Sequence, residues 1–520
     1  MSKLKTYLPL IMAACVAIGI VLGSYLNFNK RTTAFLGLPD KNEAKIKRLI
    51  NYIQYDYVDK VNTDSLLDDA IANMLSKLDP HSVYLPAKRR AQVNEEMNGK
   101  FVGVGIQFLM FKDSLTVSKV IPNGPSFKAG IKAGDRILIA DKDTLYGKKL
   151  PNTQIIKTLK GKKGTKVNLG IYRKATHKFF NTSVIRGEVP IKSIDAAYMI
   201  NDSLGYIKLN KFSATSYNEF HKALTKLEKQ GMKALVFDLR NNPGGYLHIA
   251  IKIADEFLSK DQLIVSTKNK GGQVEKTFAT AEGDFEKAHV YVLIDEGSAS
   301  ASEIIAGAIQ DNDRGTIVGR RSFGKGLVQQ EMSLGDGSSV RLTTARYYTP
   351  TGRSIQKPYN HKGNKGYFKE FEKRYIEGEL TNADSIKVVD SLKFTTPKGK
   401  VVYGGGGIVP DVFVSIDTLD YINNLYINSL NNFVFDYVDK HRAEFKNLTF
   451  KAFKDSFDKD NKILNSYFKR IGGFVKPHKI PKKQIRFFLK SFFARELFDM
   501  NAFYEIYNKR DKMIDKVLTL

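Results

Sequence analysis

The sequence predicts an α+β multidomain fold, and three observations carry that prediction. The chain has 520 residues, more than one hydrophobic core organises, so three or four domains are expected. The patterning changes along it, from helical periodicity through a glycine-rich β stretch to alternating strands and helices, then back to helices. Finally, a continuous apolar run, Val290 to Ile294, enters Asp295-Glu-Gly-Ser-Ala-Ser-Ala-Ser-Glu-Ile-Ile-Ala-Gly-Ala-Ile-Gln310, in which Ala301, Ile304, Ile305, Ala308 and Ile309 make the stripe of an amphipathic helix. Ser300 thus sits where a buried strand turns into a helix, with the unpaired first-turn amides and the helix dipole behind it. Such a position suits a nucleophile, because those amides stabilise negative charge developing beside it. Ser300 and Glu303 also have the form of a capping box, a purely structural alternative.

Taken in order, the chain opens with a short N-terminus (1–6) and an uncharged stretch, 7–26, just long enough to span a bilayer. Lys3 and Lys5 precede it, and no small-residue cleavage site of the A-x-A type follows. An uncleaved anchor is favoured over a signal peptide, and either leaves the remaining chain exported. Cys15 is the single cysteine, which excludes an internal disulfide or a thiolate metal site. The eight histidines never fall in a metal-binding spacing, so neither metal nor other cofactor is expected. The formal charge of +28 could suit nucleic acid, but its lysines and arginines are dispersed and form no recognised nucleic-acid motif, so no nucleic-acid partner is expected.

Residues 41–98 carry helical periodicity (Ile46, Leu49, Ile50, Ile53, then Leu66, Leu67, Ala70, Ile71, Met74) ended by Asp79-Pro-His-Ser82. This region is expected to pack or dimerise without chemistry of its own. Residues 99–186 turn to short β runs, with Gly103-Val-Gly-Ile106 between strand-like segments, then Ala129-Gly-Ile-Lys-Ala-Gly-Asp135, a helix near 152–159 and a strand from Lys166 to Tyr172. This order resembles a PDZ domain in circular permutation. The resemblance implies that the amides of Gly103, Val104, Gly105 and Ile106 capture a peptide's C-terminal carboxylate while the peptide adds as a strand.

Residues 187–415 read as α/β. Gly205 to Leu209 is a strand, 216–230 a helix, and Ala234 to Leu239 a buried strand running into Arg240-Asn-Asn-Pro-Gly-Gly245. The Ser300 strand–helix unit follows, then a strand at Gly315 to Val318 and the stretch Arg321-Ser-Phe-Gly-Lys-Gly-Leu-Val-Gln329. Loops at the carboxyl ends of such strands converge on one crevice. No histidine falls in them, which leaves Lys325, between Gly324 and Gly326, as the candidate base. A lysine acts as a base only when neutral, so burial must lower its pKa by several units from about 10.4. Gln329, an uncharged amide four residues on, can orient the amine without restoring its charge. Residues 416–520 read as a basic, aromatic-rich helical domain whose role is not legible.

Together, Asp238-Leu-Arg-Asn-Asn-Pro-Gly-Gly, Ser298-Ala-Ser-Ala-Ser-Glu, Phe323-Gly-Lys-Gly-Leu-Val-Gln, Thr343-Thr-Ala-Arg-Tyr-Tyr-Thr-Pro-Thr-Gly-Arg-Ser-Ile355 and Gly407-Ile-Val-Pro-Asp411 resemble the C-terminal processing (tail-specific) serine proteases over about residues 41 to 415. The resemblance implies a PDZ domain joined to a crotonase/ClpP-like core, with Ser300 as nucleophile, Lys325 as base and Gln329 orienting it. It also implies an oxyanion hole from Ala301 and Gly244 or Gly245, with Asp311 and Glu303 as structural support. The expected protein is a single-pass inner-membrane endopeptidase whose catalytic part faces the periplasm and whose protein or peptide substrates are held by their C-termini. A homo-oligomer is compatible with this arrangement. A non-catalytic PDZ adaptor at the membrane is the alternative from another class, and an acyl-CoA enzyme of the crotonase type a weaker one.

Overall fold

A six-stranded sheet in sequential order organises residues 194–413. Its strands are β1 (Ile194–Met199), β2 (Leu204–Leu209), β3 (Ala234–Asp238), β4 (His289–Ile294), β5 (Thr316–Gly319) and β6 (Val412–Phe413). β1 and β2 are antiparallel, and every later pairing is parallel. Parallel strands are covered on both faces, which is why β3 to β5 read as mainly apolar runs rather than alternations. Three helices connect them: α1 (Ser216–Lys229), α2 (Leu247–Asp255) and α3 (Ala301–Asp311). Ile207, Phe237, Val292 and Ile317 point to the face shared with Leu224, Ile253 and Ile305 of these helices. Tyr206, Val236, Leu293 and Val318 point the other way, against Met513, Ile514 and Val517. The last residues of the chain therefore complete the core of the central sheet.

The computed structural model describes residues 7, 12–18, 41–359, 366–416, 424–471 and 482–520, and the chain divides into two units, 1–74 and 75–520. In the first, helix Lys41–Tyr55 buries none of its residues and exposes Ile46 and Leu49. Of the expected membrane segment 7–26, residues 7 and 12–18 are helical and exposed, and the others, with 1–6, lie outside the described residues. Among the described residues no helix is long and apolar enough to cross a membrane.

In the second unit, Ile106–Phe111, Ser114–Val120, Asp135–Ala140, Lys166–Arg173 and Lys178–Ile185 form the path of a separate sheet, with Ile106–Phe111 at its edge. Helix Asn152–Leu159 buries Ile155 and Leu159 against its core. A further sheet pairs Leu327–Ser333 and Val83–Leu85 with Ser339–Tyr348. That pairing corrects the expectation for 41–98, because it carries Asp79-Pro-His-Ser82 onto the strands around Lys325. Helices Asn424–Lys440, Phe450–Ser456, Lys462–Ile471 and Lys482–Leu497 enclose an aromatic core of their own, including Phe433, Phe453, Tyr467 and Phe493. Asp458 starts helix Lys462–Ile471 by accepting from the amides of Ile463 (2.8 Å) and Leu464 (3.1 Å).

Asp311 closes α3 and is buried with Arg353, whose guanidinium donates to it at 2.7 Å. The same carboxylate accepts from the amide (3.1 Å) and hydroxyl (2.6 Å) of Thr351. This places Asp311 at the far end of α3 from Ser300, as a tie between the helix and the 349–353 turn. Removing one member of a fully buried ion pair strands the other. Asp311→Ala is therefore expected to lower unfolding free energy by roughly 3–5 kcal/mol in chemical denaturation.

Candidate active site

Three loops at the carboxyl ends of β3, β4 and β5 are knitted by backbone bonds. Leu239 donates to Leu293 C=O (2.9 Å), Ala299 to Asn242 C=O (3.0 Å), Arg320 to Ile294 C=O (3.1 Å) and Phe323 to Ser298 C=O (3.0 Å). Of the three serines in Ser298-Ala-Ser-Ala-Ser302, the outer two have committed hydroxyls. Ser298 donates to Leu239 C=O (2.8 Å) and Ser302 to Asn242 C=O (2.9 Å). Both are fully buried. Ser300 is partly exposed and sits at φ 55°, ψ −112°, a left-handed conformation that L-residues seldom adopt. Strain of this kind persists only where the surroundings over-determine it.

The over-determination comes from Glu303, which is fully buried. Its Oε2 accepts from the amides of Ser300 (2.8 Å) and Lys325 (2.9 Å). Its Oε1 accepts from the amide of Gly324 (2.6 Å) and the hydroxyl of Ser322 (2.6 Å). Because one oxygen holds both amides, the Ser300 and Lys325 nitrogens can be no farther apart than the sum of the two bonds, 5.7 Å. Burial pushes this carboxyl's pKa up, and the four donors oppose that shift. The Tyr347 hydroxyl adds a second tie, bonding to the carbonyls of Ser300 (3.2 Å) and Lys325 (2.7 Å).

Lys325 Nζ donates to Gln329 Oε1 at 2.9 Å. Burial, reinforced by the positive charge of Arg341, brings the lysine pKa down to about 8, with Glu303 and Asp79 pulling the other way. Gln329 follows an irregularity in the strand pairing between Val328 and Gln329, a device that re-aims a side chain. Its Nε2 donates to the backbone carbonyl of His81, which fixes which end of the amide faces the lysine. His81 is held in turn by Asp79, which accepts from the amides of His81 (2.7 Å) and Ser82 (2.8 Å). Burial and the nearby Lys325 push the imidazole pKa down to about 4. Sequence reasoning took this tetrapeptide as a helix break. The available signal was an Asp-x-His-Ser turn running straight into the β-prone Val83-Tyr-Leu85.

The glycine turn lies directly against Ser300. A Cβ on Gly244 would stand 2.9 Å from Ala301 N, and φ is 96° at Gly244 and 153° at Gly245. Gly244 N–H donates to Asn242 Oδ1 (2.9 Å). The bridge to Phe212 runs through Gly244 C=O and Tyr246 N–H, so it engages neither polar group of Gly245. Arg240, at the head of this turn, forks onto Asp238 at 2.6 Å. Burial would raise the Asp238 carboxyl, but Arg240 and Lys208 hold it well below the ordinary range. Gly103 to Ile106 lie apart from these residues, at the entry to the Ile106–Phe111 edge strand, with Gly105 at φ 77°.

Glu303→Gln replaces one accepting oxygen with an amide NH2 group facing N–H donors. It is expected to cost roughly 3–5 kcal/mol of stability in denaturant titration.

Residues 203–361 match the model of peptidase family S41, 102–184 that of the PDZ domain, and 27–89 that of the activating protease CtpB N-terminal domain. Residues 421–499 match a family of unknown function. The carboxy-terminal processing protease CtpB of Bacillus subtilis is 37% identical over 61% of this chain and 66% of its own length, just under two thirds. The carboxy-terminal-processing protease of Bartonella bacilliformis is 36% identical over 61% of this chain and 73% of its own. Among solved structures, the photosystem II D1 C-terminal processing protease is 26% identical over 72% of this chain and 87% of that one, with a TM-score of 0.37. The chain belongs to the carboxy-terminal processing proteases of peptidase family S41, a family of serine-type endopeptidases.

Proposed function

We propose that this protein is a membrane-anchored, exported endopeptidase that captures substrate C-termini on its PDZ domain and cleaves with a Ser300–Lys325 dyad. The observation that carries the reading is the single Glu303 oxygen that holds the amides of both residues, next to a lysine whose pKa is brought down to about 8. Neutral Lys325 takes the proton of Ser300 Oγ as that oxygen bonds to the scissile carbonyl carbon. The N–H groups of Ala301 and Gly245 receive the oxyanion, Gly244 N–H being engaged by Asn242. The C–N bond then breaks, and the Lys325 ammonium protonates the departing amine. Water attacks the acyl-serine ester and gives a proton to Lys325; the ammonium returns it to the departing Ser300 Oγ, and the new C-terminal carboxylic acid ionises to the carboxylate as neutral Lys325 and free serine are restored.

Upstream of the chemistry, the substrate's C-terminal carboxylate sits on Gly103, Val104, Gly105 and Ile106. The unpaired edge of Ile106–Phe111 is open to an added strand. The uncharged run at 7–26 supports placement at the inner membrane with the protease outside the cytoplasm.

Ser300→Ala and Lys325→Ala should each reduce peptide cleavage by on the order of 10⁴-fold without lowering the melting temperature. Substantial residual turnover in either would overturn the dyad. Because the base must be neutral, kcat/KM should rise with pH and level off above about 8. Gln329→Glu puts a carboxylate beside the ammonium and favours the charged form, so the rising limb should move up by roughly one pH unit or more.

A further inference from the structure

The helical C-terminal region grips both the PDZ domain and the catalytic core. On the PDZ side, Arg136 donates to both oxygens of Asp439 (3.2 and 2.7 Å), and Lys174 donates to the same carboxylate (2.9 Å). Asp439 and Arg136 are buried at this junction. Lys119 donates to the carbonyls of Arg495 (2.5 Å) and Phe498 (3.1 Å), placing a cation on the negative end of helix Lys482–Leu497. Phe111, the last residue of the peptide-accepting edge strand, packs edge-on against Phe435 at 5.4 Å.

On the core side, Asn501 Oδ1 accepts from the β1 amide of Ala197 (2.7 Å). Asp511 splits its two oxygens: Oδ1 caps the last helix through the amides of Met513 and Ile514, and Oδ2 accepts from Arg240 at 2.6 Å. Arg240 heads the Asn-Asn-Pro-Gly-Gly turn that lies against Ser300.

The chain itself joins the PDZ domain to the core through one ribbon, Lys100–Gly103 paired with Gly187–Pro190. A body attached by one ribbon can swing about it, whereas a second attachment on another face removes that freedom. The Asp439 junction is such an attachment, and among the described residues no strand pairs with the outer edge of Ile106–Phe111. We propose that the C-terminal domain is a brace that fixes the span from the captured carboxylate to Ser300, and so decides which peptide bond, counted from the substrate's C-terminus, is cut. The proposal rests on the reading of Ser300 as nucleophile and of Gly103 to Ile106 as the carboxylate loop.

The test uses the full chain and a peptide of repeated, chemically equivalent apolar residues, with products read by mass spectrometry. The wild type should cut in a narrow window measured from the free C-terminus. Asp439→Asn, and separately Lys174→Glu at the half-exposed end of the junction, should broaden that window and reduce the preference for its central bond by on the order of ten-fold. Labelling of Ser300 by a fluorophosphonate should stay unchanged in both. An unchanged window in folded, labelled Lys174→Glu protein would overturn the brace. If the wild type instead cuts the C-terminally amidated peptide in the same pattern, the carboxylate-capture reading itself fails.

Discussion

The carboxylate of Glu303 joins Ser300 and Lys325, which the chain supplies from loops after neighbouring parallel strands. Sheet geometry alone sets those loops about 5 Å apart, but it does not fix the height or facing of either. Four donors on one buried carboxylate do. Each is a charge-assisted bond, stronger than a neutral one and sharper in geometry. The left-handed backbone at Ser300 is held there because the alternative leaves a buried charge without its amides. The Ser300 amide on Glu303 Oε2, one half of a capping box, is thus the same contact that holds the strained backbone at Ser300.

The electrostatics follow from how that negative charge is used. Lys325 lies near a carboxylate that would favour its ammonium form, yet its pKa falls to about 8. The Glu303 oxygens are turned to backbone N–H groups, and the amine faces the neutral amide of Gln329. Burial and Arg341 then outweigh the attraction of Glu303 and Asp79. Gln329 is oriented by the His81 carbonyl, so a region with no predicted chemistry determines which polar atom the lysine meets. In a chain of net charge +28, the pKa of this lysine is lowered by local desolvation and the nearby charge of Arg341.

The PDZ domain and the C-terminal helices extend this logic over longer distances. A PDZ domain needs an unpaired edge, and edges invite unwanted pairing. Here the neighbouring strands and the end of the edge strand are gripped, while the edge itself stays open. The same helices cover the second face of the central sheet through Met513, Ile514 and Val517. One domain therefore closes the core, touches Arg240 and holds the peptide-capture domain.

The α/β core was legible in the sequence because each of its elements carries its own pattern. The apolar run at Val290–Ile294, the stripe on α3 and the glycines at 244 and 245 state strand, helix and turn locally. Ser300, Lys325 and Gln329 could be picked as candidates from their turns and spacing, and the resemblance to a known family supplied the roles expected of them. The sequence could not place His81, Tyr347 or Asp511, whose partners are 248, 47 and 271 residues away. Nor could it tell that the Gly244 amide is engaged, because that depends on where Asn242 Oδ1 points. Local pattern determines which segments become strands and helices. Which buried donor meets which acceptor is decided only when distant segments pack and every polar group must find a partner.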